Sequence, residues 1–183
     1  MFRGVGIGVL VLLGGCTFPK RIDQLQYWEL PAHTFGDVAC IEINAPKPSR
    51  RDVSADLEFS LEQAVRQWAR DRLVPISGQS KRLKITIDQA CLQETRKPVP
   101  SLGLSLPYED QWDARLSVRF EIQPLSVSKT EMSFVVTTRY SDIVPKDLNF
   151  YERQAFWQKC LAKILVDFDQ EVAKLWSQCG ESL

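Results

Sequence analysis

Histidine is the scarcest resource in this chain: His33 is the only one. That excludes metal centres built on several imidazoles and multi-histidine acid–base relays. Net charge is also missing, since 23 Lys and Arg stand against 23 Asp and Glu. Nothing global draws such a chain to phosphate backbones, which argues against a nucleic-acid partner. Glycine-rich phosphate cradles and nucleophile elbows are absent too; Gly103 stands outside any such run. No internal repeat or low-complexity segment occurs, and no apolar run reaches the roughly 20 residues of a membrane-spanning helix. What remains is a 183-residue chain, 44% hydrophobic and 25% charged, the composition of one folded domain of ordinary size. Neither a cofactor, nor a metal, nor a catalytic residue is expected from this inventory.

The beginning of the chain carries the most specific signal. Arg3 is the only charge before Cys16, and an apolar run through Leu13 is followed by Gly14 and Gly15. A charged start, a short apolar stretch and small residues describe a signal peptide over residues 1–15. Leu13-Gly14-Gly15-Cys16 also resembles the lipobox of bacterial lipoproteins. The resemblance implies cleavage before Cys16 and diacylation of its thiol. Each buried methylene of such a chain adds about 0.8 kcal/mol of membrane affinity, so the lipid would be the membrane anchor. Thr17, where an aspartate favours retention in the inner membrane of enterobacteria, points to the outer membrane and its periplasmic face. A plain export signal followed by a chance cysteine is the alternative.

Residues 16–37 then read as a lipidated tether, interrupted by Tyr27-Trp28-Glu29-Leu30. A run rich in β-branched residues, 38–43, gives a first strand that ends before Pro46 and Pro48. From Asp52 the spacing turns helical, with Leu57, Leu61, Val65, Trp68 and Leu73 on one stripe, Asp52 or Ser54 as cap, and Pro75 and Gly78 as stop. Leu83, Ile85 and Ile87 alternate as a second strand; Leu116, Val118, Phe120 and Ile122 as a third; Met132 to Tyr140 as a fourth. Trp157, Leu161, Ile164, Phe168 and Val172 form the stripe of a closing helix. The expectation is an α+β domain over residues 38–178 with a tail at 179–183. Its order is β-α-β-β-β-α, in two layers: a mixed four-stranded sheet with both helices packed on one face. The first two strands would be parallel.

Four cysteines follow Cys16: Cys40, Cys91, Cys160 and Cys179. The period-2 parity of Cys91 with Ile85 and Ile87 makes Cys91–Cys160 the least strained pairing, both facing the layer between sheet and helices. The alternative is that some or all are small buried hydrophobes.

Two features are candidates for function. Residues 98–110 form an apolar, proline-bearing loop with Leu102, Leu104, Leu106 and Tyr108, which serves either as a lid folded on the sheet or as an exposed tip that enters a partner. Parallel first and second strands would gather Lys47, Arg50 and Arg51 at one edge with Arg96 and Lys97, a basic cluster suited to phosphorylated lipid or an acidic rim. Glu109, Asp110 and Asp113 either neutralise that edge or, as paired carboxylates, offer acid and base groups to a hydrolase. A solvated turn is the plainer reading of those three. The plan as a whole resembles lipopolysaccharide-assembly lipoproteins, whose Cys-Gly-Phe is here Cys16-Thr17-Phe18. It also resembles the auxiliary lipoproteins of lipid-transporting ABC systems, through Tyr27-Trp28-Glu29-Leu30. These resemblances imply a non-enzymatic accessory subunit with an envelope protein as partner; a lipid- or glycolipid-binding module is the alternative.

Overall fold

The computed structural model describes residues 33–34, 38–45, 52–57, 59–98, 108–127 and 129–180. The described chain is an α+β fold. β2 (Val38–Asn44), β4 (Lys81–Pro98), β5 (Tyr108–Pro124) and β6 (Met132–Ile143) form a sheet in that order. β2 runs parallel to β4, and the remaining pairs are antiparallel. Helices α1 (Leu61–Arg72) and α2 (Phe150–Gly180) share one face of this sheet. A short parallel pair, β1 (His33–Thr34) with β3 (Leu73–Val74), ties the last part of the expected tether to the fold beside the start of β2.

Alternation explains the sheet. Leu116, Val118 and Phe120 are buried toward the helices, while Ser117 and Arg119 between them face the other side. The two helices run in the same direction. Trp157 Nε1 donates to the Phe59 carbonyl at 2.6 Å near the start of α1, and Arg72 at its end reaches Asp169 on α2. Trp68 fills the space between, edge-on to Phe168 at 4.8 Å and also contacting Phe120.

Four expectations are corrected. The helix expected from Asp52 begins only at Leu61. Asp52 caps a 3-10 turn, Val53–Asp56, and Ser60 caps α1 through a reciprocal box with Gln63. The turn also protects the sheet. β2 ends opposite Thr86, and Asp52 Oδ1 then accepts from Leu92 N at 3.0 Å, covering the β4 edge that β2 leaves bare.

The second correction concerns strand length. β4 and β5 are far longer than the alternating cores at 83–87 and 116–122, so Arg96, Lys97, Tyr108, Glu109, Asp110 and Asp113 belong to a paired ladder and not to a loop or solvated turn. Arg96 opposite Asp110 and Lys97 opposite Glu109 are favourable cross-strand pairs that carry the ladder past the hydrophobic core. Pro98 is its last residue, where a missing amide does least harm.

The third is the disulfide. A β-bulge between Ile87 and Gln89 reverses the alternation, so Leu92 joins the core while Cys91 turns to the helix-free face. Cys160 lies in the core on the helix side, and Cys40, Cys91, Cys160 and Cys179 are all free thiols. Burial pushes Cys160 up to about 12. The fourth is the tail: α2 continues through Cys179 to Gly180.

Candidate docking end of the sheet

One end of the sheet projects past the helices. α2 starts at Phe150, and its first inward-reaching charge, Arg153, pairs with Glu94 and lies 5.1 Å over the Trp112 ring. Trp112 meets Trp157 edge-on at 6.0 Å. Beyond this level the β4–β5 hairpin carries on with Arg96, Pro98, Tyr108 and Asp110 on the helix-side face. Arg96 Nε donates to Asp110 at 3.3 Å there, whereas Lys97 and Glu109 face the other way. Arg96 and Lys97 therefore do not share one patch.

The α2 start is rigid. Asn149 Oδ1 accepts from Glu152 N at 3.0 Å, and the Glu152 carboxylate accepts from Asn149 N at 2.9 Å. This box displays Phe150 and Tyr151 at 64% and 82% exposure, their rings edge-to-face at 5.7 Å. Tyr108 and Ile143 are also exposed at this end. Phe150 lies seven residues before Trp157, hence in phase with the apolar stripe, yet it overshoots the layer that the stripe packs against. The stripe alone would have put it in the core.

Leu102, Leu104 and Leu106 lie outside the described residues, as do Cys16, Lys47, Arg50 and Arg51 and the proposed leader. Pro98 and Tyr108, the described residues that flank 99–107 in the sequence, are paired at this same end.

The three carboxylates do not converge. Asp110 pairs with Arg96 on the helix side, while Glu109 and Asp113 face the other way, four residues apart on β5. Asp113 is buried and enclosed by Arg139, Arg115 and Ser141: Arg139 Nε donates at 2.8 Å, Arg115 Nη2 at 3.0 Å and Ser141 Oγ at 3.3 Å. The Arg139 guanidinium foremost, with Arg115, holds its carboxyl at about 2, below the ordinary aspartate range. A group with a depressed folded-state pKa stabilises the fold above its unfolded pKa and ceases to do so as pH falls through the folded value. Asp113 thus contributes fully above about pH 4 and loses that contribution toward pH 2. In acid titrations followed by circular dichroism, Asp113→Asn should be less stable than the parent at pH 6, with the difference vanishing near pH 2.

Among the described residues no helix is long and apolar enough to cross a membrane, and no group of His, Cys, Asp and Glu is placed to hold a metal ion.

No family model and no curated protein matches the chain. Among solved structures it is similar to a minor lipoprotein from Acinetobacter baumannii, at 14% identity and a TM-score of 0.38, covering 74% of this chain and 88% of that one. It is similar also to the rare lipoprotein B from Shewanella oneidensis, at 11% identity and 0.42, covering 77% and 98%. A DUF330 protein from Xanthomonas campestris matches at 12% and 0.37, covering 83% and 92%. Identities and TM-scores at this level carry no role from those proteins to this chain.

Proposed function

We propose that the chain is a non-enzymatic, lipid-anchored accessory protein on the periplasmic face of the outer membrane. It docks a protein partner of envelope assembly or transport through the projecting end of its sheet. The observation that carries this is the separation of the two ends. β1, the first described strand, lies near the start of β2 and β4, whereas Tyr108, Phe150 and Tyr151 lie toward the end of β4 and the start of β5. Seventeen steps of about 3.3 Å make β4 roughly 55 Å long. An anchor at Cys16 would precede the end that carries β1, leaving the far end with its exposed aromatic pair open to a partner. Large exposed aromatics fixed by a cap lose little entropy on binding, as interface anchors require.

Photo-crosslinking in cells from positions 102, 106 and 151 tests the reading. One discrete envelope protein captured at all three is the expected result. Lipid adducts would replace docking with lipid or glycolipid binding. Protection of positions 102 and 106 without any adduct would make the loop a structural lid and end the proposal.

A further inference from the structure

The helix-free face of the sheet carries a charge arrangement that docking at the projecting end leaves unused. Arg115 on β5 and Arg139 on β6 are directly opposite each other in the ladder. Like charges so placed destabilise a sheet unless an anion lies between them. The anion present, Asp113, is already surrounded: it accepts from both guanidiniums and from Ser141. One carboxylate serves two guanidiniums, so the cluster keeps a surplus positive charge. The residue opposite Arg115 on β4 is the neutral Cys91, and Asp52, the acid beside Cys91, is already taken up by Ser54 and the Leu92 amide. The nearest acid further along the face, Asp88, is held by Arg119 at 3.0 Å.

The cluster also has donors to spare. Arg115 Nε is unpartnered among the described residues but has no exposed surface, so a ligand would meet the rest of its guanidinium, on a side chain 41% exposed. Arg139 is 60% exposed. One step along the same two strands, Ser117 and Thr137 are opposite each other with their hydroxyls 3.2 Å apart.

We propose that Arg115, Arg139, Ser117 and Thr137 form an anion site on the helix-free face, and that its ligand is a phosphate monoester. A carboxylate brings two oxygens and a single charge, and Asp113 already fills that role between the two guanidiniums. A phosphate monoester has three free oxygens and a charge of about −1.5 to −2, enough to bridge two guanidiniums, reach the hydroxyl pair and offset the surplus charge. The site lies apart from the projecting end and does not depend on the docking reading.

The test is calorimetric titration of the full chain in non-ionic detergent, with inorganic phosphate at constant ionic strength and sodium chloride as the reference. Saturable binding is expected, weakened about tenfold or more in Arg115→Gln, the loss of one charge-assisted hydrogen bond. Thr137 is exposed and makes no contact with Asp113, so Thr137→Val keeps the fold and should weaken binding several-fold; it decides the matter if Arg115→Gln does not fold. Heats no different from sodium chloride, or binding that these variants leave unchanged, overturn the site. Dihexanoyl phosphatidic acid then distinguishes the source: binding well above that of inorganic phosphate assigns a lipid headgroup, equal binding a free phosphate.

Discussion

Replacing Asp169 with asparagine should lower folding stability by about 3–5 kcal/mol, read as a shift in urea unfolding. Asp169 is buried between the helices and accepts from Trp68 Nε1 at 2.8 Å, while Arg72 reaches it with two nitrogens at 2.9 and 2.8 Å. The side chains of Arg72 and Asp169 are 4% and 3% exposed. Removing the carboxylate charge takes away the anion that balances a guanidinium held out of water. The attraction itself is not the source of the effect, because desolvating both groups offsets most of the Coulomb gain. The double variant Asp169→Leu with Arg72→Met removes both charges and should recover much of the loss. A single variant as stable as the parent would mean that water reaches Arg72. Most domains have only about 5–15 kcal/mol in all, so this one contact decides whether α1 and α2 stay registered.

Trp157→Ala should cost a similar amount, about 3–5 kcal/mol, and lower the thermal midpoint accordingly. The ring is fully buried beside Trp112, and its indole N–H serves the Phe59 carbonyl that leads into α1. Alanine therefore opens a cavity and strips a part-buried carbonyl of its donor. Trp157→Phe keeps most of the volume and should show chiefly the second loss, about 1–3 kcal/mol. Phe150→Ala, one helical segment away, should change stability by no more than about 0.5 kcal/mol because its ring is exposed. That contrast separates aromatic residues that hold the fold from those available to a partner; a large effect at Phe150 would remove it from the docking surface.

Order and type of the main elements are legible in the sequence wherever one face is buried. The alternation at 116–122 and the stripe from Trp157 to Val172 are direct records of contact with the core. The hairpin arms beyond Glu94 and Trp112 overshoot the helices, so both of their faces meet water and no alternation marks them. Only the opposite charges of Arg96 and Asp110, and of Lys97 and Glu109, hint at the pairing, and that hint needs the register to be read. The bulge is hidden for a related reason. Asp88 and Gln89 carry no apolar signal, and the shift shows only in Ala90 and Leu92, out of step with Leu83, Ile85 and Ile87. Counting straight through it puts Cys91 on the wrong face. The break before α1 is present as Ser60 and Gln63, a capping pair three apart, but the apolar stripe runs through it without a gap. The Arg115–Arg139 pair becomes visible only once β5 and β6 are aligned.

The parallel pairing of β2 with β4 has a mechanical consequence. A pull between the point where the chain enters the fold and the hairpin tip draws β2 toward its beginning and β4 toward its end. The two strands are then loaded in shear, so their ladder bonds must fail together instead of opening one at a time. The two-residue β1–β3 pair comes first on that path, and β2, only seven residues long, is the weakest clamp of the main sheet. Under tension the helices and the β4–β5–β6 meander would outlast it, and the first parts to peel away would be β1 and then β2.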